Sequence, residues 1–530
     1  MRIAPVVALL VAVIAVPFLL RPEEKLTASA DHTLVIISPH NEAIRWEFAN
    51  AFRAYCRRAL QKEVALDWRT PGGTSEIARY LDSQYLAGFE YYWTRQGRKF
   101  GILEKGAFAN GKIRLDETPT NDTPEEAVRR AYLTSKVSSG IDLFFGGGSF
   151  DFAQQASKGH LVDNGLLQRH PEWFGPNGIP QQRGGEAFYD AQGRWFGACL
   201  SSFGICYNGD SLQRLRLPPP ANWADLAHPG YFREIALADP TKSGSNTKAF
   251  EMIIQQQIGE AIAKSAEPGS PAAVSEGWTR AVQLIQKIGA NGRYFTDSAP
   301  KVPLDVSSGD AAAGMCIDFY GRFQSEAVRQ PDGNSRIQYV SPANGSSTGS
   351  DPIGLLRGAP NSELAKTFID FVLSEEGQKL WNTRVGSPGG PQRYALRRLP
   401  IRPELYDEST RGTRSDPDVL PYAAGSEFNY QPAWTGSLFR QIGFIVRVMC
   451  IEPHDELQAA WAALIAANFP PEATAKFQDV EAVSYAYASG GMKTTLSSPN
   501  KIEEVRLAKS LSGHFQNQYR EARRLAEAGK

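Results

Sequence analysis

This chain has little of what catalytic and metal signatures are made of. Its five cysteines, Cys56, Cys199, Cys206, Cys316 and Cys450, are scattered along 530 residues. An odd, dispersed set excludes a disulfide framework, and the thiols read as small buried hydrophobes. No CxxC and no His/Cys cluster is present, so structural zinc has no ligand set. There is no G-x-S-x-G elbow, no H-E-x-x-H and no complete Walker or dinucleotide fingerprint. The paired carboxylates Glu375-Glu376 read as a solvated helix face. An excess of either charge is also lacking, with 57 Lys+Arg against 57 Asp+Glu. That balance excludes a nucleic-acid binder and a basic membrane-surface protein. Internal repeats and low-complexity tracts are absent as well.

One long apolar run stands at the start. Met1-Arg2 precedes Ile3 to Leu20, interrupted by Pro5 and Pro17 and closed by Arg21. Ala28-Ser29-Ala30 offers a cleavage site. The segment reads as a cleaved signal or as a retained anchor, and either exports the body of the chain. No cysteine follows the run directly, which argues against a lipid anchor.

What the sequence does have is a repeated strand–turn–helix pattern. Thr33 to Ile37 reads as a buried strand, followed by the loop Ser38 to Glu42. A helix then carries Ile44, Phe48, Phe52 and Tyr55 on one stripe. Val64 to Trp68 is a second strand, and further strands are expected at Ile141 to Phe145, Phe203 to Tyr207, Ala311 to Ile317 and Pro352 to Leu356. Such an order predicts parallel sheets with helical crossovers.

Three of the strand-to-helix turns share one character. They are Gly72-Gly73-Thr74-Ser75, Gly146-Gly147-Gly148-Ser149 and Lys242-Ser243-Gly244-Ser245, the last running on into Asn246. Glycines allow close backbone approach, and free N–H groups at a helix start attract an anion. In parallel α/β sheets these turns gather at the carboxyl ends of the strands, where ligands bind. Gly73, Thr74, Ser75, Gly147, Gly148, Ser149, Lys242, Ser243, Gly244, Ser245 and Asn246 are therefore candidate ligand contacts. His40 follows a strand at the same edge. Asp318 and Tyr320 end a buried strand and could add an acidic oxygen and a phenol.

The chain resembles the extracellular solute-binding proteins of ATP-binding-cassette importers, in the iron(III)-type subgroup. Four stretches carry the resemblance: Leu34 to Ala43, Ala238 to Asn246, Ser308 to Tyr320, and Gly358 to Gln378. The resemblance implies a two-lobed α/β periplasmic-binding-protein fold of type II, with crossing hinge strands and an interlobe solute cleft. It sets the leader at 1–30, lobe 1 at 31–207 with an insertion at about 87–136, lobe 2 at 208–336 and a return to lobe 1 at 337–391. The stretch 392–530 has no counterpart and opens as a basic, Pro-punctuated linker. It is expected to be mainly helical, with helices at Leu457 to Asn468 and Ile502 to Ala528. Val505, Leu507, Leu511 and Phe515 are the docking positions of the second.

Residue by residue, His40 matches the subgroup's ligating histidine and Tyr320 the second of its two tyrosines. Phe319 stands where the first would be, and Gly146 to Gly148 where its carboxylate would be. The implied function is capture of a small anionic solute, a phosphate ester, phosphonate or similar, for delivery to a membrane permease. Fe(III) or an Fe(III) chelate held by His40 and Tyr320 is the alternative. A membrane-tethered sensor or an exported enzyme on the same scaffold is a further one. The leading reading expects no cofactor, a monomer, no nucleic-acid partner and a periplasmic or extracellular location, with membrane anchoring left open.

Overall fold

Short polar caps punctuate the fold. Asn41 accepts from the Ile44 N–H at 3.1 Å and so starts the helix Glu42–Tyr55, whose Ile44, Phe48 and Phe52 are buried. The Gly73 N–H donates to Glu76 Oε2 at 3.0 Å at the head of the helix Thr74–Thr94. The computed structural model describes residues 32–116, 122–265, 267, 270–423, 428–498 and 500–529. The leader expected over 1–30 lies outside them.

Fourteen strands are formed among the described residues. They are β1 (His32–Ile37), β2 (Val64–Arg69), β3 (Leu143–Phe145), β4 (Leu161–Val162), β5 (Gln182–Arg183), β6 (Glu186–Ala187), β7 (Phe196–Ser201) and β8 (Phe203–Asn208). There follow β9 (Ile235–Ala238), β10 (Gly292–Thr296), β11 (Ala313–Ile317), β12 (Ile337–Val340), β13 (Gly349–Leu356) and β14 (Leu399–Pro400).

The two large sheets repeat one plan. The first runs β2-β1-β3-β13-β7-β14, with β4 beside β13. The second runs β10-β9-β11-β8-β12. In each, the first parallel strand (β1 or β9) lies between the second and third. Beyond the third come strands in antiparallel pairing, β13, β7 and β14 in the first sheet and β8 and β12 in the second. These strands connect the lobes. β7 leaves the first sheet and becomes β8 of the second through Ser202, while β12 returns to β13. The Phe203 N–H donates to Ser346 Oγ at 2.8 Å and ties the two crossings together. The first crossing thus falls at Ser202, ahead of the boundary at 207, because Phe203 to Asn208 is fully engaged in the second sheet.

The segment 87–136 is not a separate unit. The helix Thr74–Thr94 runs into it, and Tyr85, Phe89 and Trp93 pack with Phe108 and Tyr132 in one core. The stretch after 391 is no free linker either. The Glu47 carboxylate accepts the N–H groups of Gln392, Arg393 and Tyr394 at 2.6–2.9 Å, and β14 joins the first sheet.

The remainder is helical and wraps the second lobe. Trp278 Nε1 donates to the Val483 carbonyl at 2.9 Å, Gln286 Nε2 to the Phe477 carbonyl at 2.8 Å, and Tyr519 OH to the Met449 carbonyl at 2.9 Å. Of the docking positions on Lys501–Glu527, Leu511 and Phe515 are buried and Leu507 partly so, whereas Val505 is exposed. Val505 lies near the start of that helix, before its apolar stripe meets the helix His454–Ala466. All five cysteines are buried and free.

Candidate functional site

The three glycine turns converge between the lobes. Gly146 and Gly147 have φ of +95° and +126°, a region that disfavours any side chain. A Cβ on Gly147 would lie 2.3 Å from Thr74 Cγ2, so the first two turns pack directly together. A Cβ on Gly73 would lie 2.6 Å from the Lys242 carbonyl oxygen, across the lobe boundary. The first turn therefore meets the third by backbone contact and leaves no space there for a solute.

The space is to one side. A cavity of about 220 Å³ opens between the lobes. Its first wall includes Gly147, Gly148, Ser149 and Phe150 from lobe 1, and its second includes Gly244, Ser245 and Lys248 from lobe 2. Tyr430, Pro432, Gly436 and Phe439 of the C-terminal part close the third side. Phe150 stacks on Phe439 with ring centroids 4.6 Å apart. The helices Ser149–Lys158 and Gly244–Lys264 both begin on this cavity. Among the described residues, no partner takes the N–H groups of Ser149, Phe150, Gly244 or Ser245. Two helix starts, one from each lobe, thus turn their orphan donors and positive dipole ends on one small space.

Below them sits a charged cluster that the turns alone do not foretell. Lys248 Nζ is 2.7 Å from Glu186 Oε1 and 2.9 Å from Glu251 Oε2, and 3.8 Å from the centre of the Tyr430 ring. Burial alone would lower the Lys248 pKa, but Glu186 and Glu251 carry it upward, so the ammonium is firmly held. Glu251 Oε1 accepts from Tyr430 OH at 2.8 Å and Thr435 Oγ1 at 2.6 Å, and Glu186 Oε1 accepts from Ser347 Oγ at 2.6 Å. Lys248 and Glu251 lie one turn apart on the helix after the third glycine turn. Glu186 and Tyr430 come from distant segments, and no local pattern marks them.

Behind the first wall lies a buried triad. Arg398, 1% exposed, pairs with Asp351 Oδ2 and places Nη1 3.2 Å from His40 Nε2. Asp351 Oδ1 accepts the Gly147 N–H at 2.5 Å, so the triad also fixes the second turn. Burial would raise the Asp351 pKa, but the Arg398 charge, His40 and that N–H hold it below the usual carboxylate range. Burial keeps His40 below its ordinary value. The Arg398 guanidinium also lies 4.2 Å over the Phe319 ring. Asp318 is committed to Arg322, and burial pushes the Tyr320 phenol up to about 12. A ferric ion asks for phenolate and anionic oxygen donors. The two carboxylates beside the imidazole and the phenol, Asp351 and Asp318, are already taken by Arg398 and Arg322, so this donor set is a poor fit to Fe(III).

Of the residues expected from sequence, Gly147, Gly148, Ser149, Gly244 and Ser245 line the cavity. His40, Asp318 and Tyr320 lie behind it around Arg398. Gly73, Thr74 and Lys242 form the contact between lobes, with Ser75 on the helix behind. Ser243 and Asn246 are buried at the start of the second helix.

Two lobes of this strand order, joined by two crossings around a cavity, make a periplasmic-binding-protein fold of type II with a helical C-terminal part. Residues 146–397 match the family model for bacterial extracellular solute-binding proteins, which bears out the resemblance seen in sequence. Members of that family are binding proteins that deliver small solutes to the permeases of ATP-binding-cassette importers. Among curated relatives, the phosphoglycerate transport regulatory protein PgtC of Salmonella typhimurium is 25% identical over 181 residues, 34% of this chain and 39% of that protein. The putrescine/agmatine-binding protein of Pseudomonas aeruginosa is 28% identical over 152 residues, 28% of this chain and 40% of that protein. The chain thus spans about two fifths of each of these relatives. Solved structures of similar shape include AfuA of Actinobacillus pleuropneumoniae with fructose-6-phosphate, at 17% identity, TM-score 0.43, 66% of this chain and 81% of that one. Iron-bound HitA of Pseudomonas aeruginosa aligns at 15% identity, TM-score 0.44, 78% of this chain and 98% of that one.

Proposed function

We propose that this protein captures a small anionic solute, such as a phosphate ester or phosphonate, in the interlobe cavity and presents it to an importer permease. The observation that carries the reading is the meeting of two free helix starts, at Ser149 and Gly244, on opposite lobes of one cavity. An anion there contacts both lobes at once, and contacts to both lobes favour the closed arrangement. The cavity is smaller than a drug-sized pocket, which suits a compact solute. The protein acts in the periplasm or outside the cell, as a monomer and without a cofactor.

The test is a thermal-shift panel of phosphate esters, phosphonates and ferric chelates on wild-type protein and Ser245→Asp. A carboxylate in the first turn of a helix suits the helix dipole, so the variant is expected to fold. It also puts a fixed negative charge where the anion would sit. At least one phosphorylated solute should raise the Tm of wild type and leave that of Ser245→Asp unchanged. A shift with ferric chelates alone would contradict the reading.

A further inference from the structure

The charged cluster under Tyr430 says more about the solute, granted the anion site above. Glu186 and Glu251 share one lysine, Lys248, so the cluster keeps one carboxylate charge without a counter-ion. The other carboxylate on the wall, Asp351, has its own partner in Arg398. Tyr430 and Thr435 donate to Glu251 Oε1, and its buried Oε2, which takes no hydrogen bond among the described residues, has Lys248 Nζ at 2.9 Å. Glu186 Oε1 takes Lys248 and Ser347, but its Oε2 has neither a hydrogen-bond partner nor an ion-pair contact among the described residues. Glu186 is only 4% exposed and lines the cavity. A carboxylate oxygen without a donor, on a residue with little access to water, is costly, and a solute that brings a cationic donor into the cavity would relieve it. A hydroxyl would satisfy the oxygen but leave the charge.

The position of Glu186 is enforced by the C-terminal part. It follows the turn of the β5–β6 hairpin, and the Tyr430 N–H donates to the Gly184 carbonyl at 2.9 Å. Gly185 has φ of +80°, and a Cβ on it would overlap the Tyr430 carbonyl. The segment that closes the cavity therefore also presses the hairpin into place and sets the unpaired oxygen on the wall.

We infer that the solute is zwitterionic, with its acid group at the paired helix starts of Ser149 and Gly244 and an ammonium group at Glu186 beside Lys248 and Glu251. One small cavity then holds an anion-binding end and a cation-binding end. The net negative cluster discriminates against solutes that carry an acid alone.

The experiment is calorimetric titration of the full chain with phosphoethanolamine, ethyl phosphate and ethylammonium, on wild type and Glu186→Gln. Phosphoethanolamine should bind wild type at least about tenfold more tightly than ethyl phosphate. Glu186→Gln should erase most of that preference while leaving ethyl phosphate binding nearly as it was. Equal binding of the two phosphates by wild type would overturn the zwitterion and leave the anion reading standing. Ethylammonium binding with no response to either phosphate would overturn both, as would no binding of any probe. A preference that survives in Glu186→Gln would also overturn the assignment. The comparison on wild-type protein decides the matter even if the variant fails to fold.

Discussion

Arg398 Nη1 stands 3.2 Å from His40 Nε2, and the same guanidinium pairs with Asp351. A fixed cation therefore occupies the Nε2 side of the imidazole. Metal chelation should accordingly leave this protein untouched. Dialysis against EDTA is expected to leave the Tm unchanged, and ferric citrate should produce no phenolate-to-iron absorption band. A visible band that vanishes in Tyr320→Phe would contradict this.

Removing one member of that pair should cost far more than removing a surface charge. Arg398→Ala leaves Asp351 buried without its counter-ion, and a loss of about 3–5 kcal/mol is expected by urea denaturation at neutral pH. The sign of the pH dependence follows from Asp351. Its pKa is depressed in the folded protein, so its contribution is present above the unfolded carboxylate pKa and is lost as pH falls through the lower folded value. His40, also depressed, acts in the same direction at higher pH, with stability lost as pH falls below the ordinary histidine range. The Arg398→Ala penalty should therefore shrink in strong acid.

Asp151 gives the opposite slope. Burial pushes its carboxyl up to about 7, and Oδ2 has no partner among the described residues. A raised carboxylate pKa contributes most below the unfolded value of roughly 4 and is lost as pH rises through about 7. Asp151→Asn should match wild type near the acid end of that window and exceed it in stability, by roughly 1–3 kcal/mol, at pH above it. Melting curves across the window check this. A variant less stable than wild type at every pH would show that the carboxylate has a partner.

The Gly73 and Lys242 turns meet by close backbone approach across the lobe boundary, so bulk added there should hold the lobes apart. Gly73→Ser adds a good helix cap but also a Cβ, which would lie 2.6 Å from the Lys242 carbonyl oxygen. The solute-free protein should keep its Tm, while the solute Kd rises about tenfold, near 1.4 kcal/mol. Calorimetry measures the second, and small-angle scattering should show a more open envelope.

The C-terminal part belongs to the core of the second lobe. Phe477 is fully buried, with rings of Trp461 and Tyr519 at 5.3 and 5.6 Å. Phe477→Ala is expected to cost about 3–5 kcal/mol in global stability. A smaller, separate transition confined to the C-terminal part would show that it folds apart from the lobes.

The sequence made the lobes legible and left much of the site hidden, for a physical reason. Strand–turn–helix units announce themselves locally: apolar runs, glycines at positive φ and Ser/Thr at helix starts all lie within a few residues. Those signals led to Gly147, Gly148, Ser149, Gly244 and Ser245, which line the cavity. Glu186, Arg398 and Tyr430 carry no local signal, because each acquires its role from partners more than 40 residues away: Lys248, Asp351 and Glu251. Arg398 was especially opaque. It sits in a basic, proline-punctuated stretch that reads as linker, yet Glu47 fixes the backbone there and Asp351 absorbs the charge. The same pairing closes off His40 and leaves the cavity beside it as the open space between the lobes.

The most direct test is a crystal structure of the protein with a phosphorylated solute that raises its Tm. The acid group should lie within hydrogen-bond distance of the backbone N–H groups at Ser149 and Ser245, bridging the two lobes. Solute density beside His40 and Tyr320, with the two helix starts empty, would contradict the assignment.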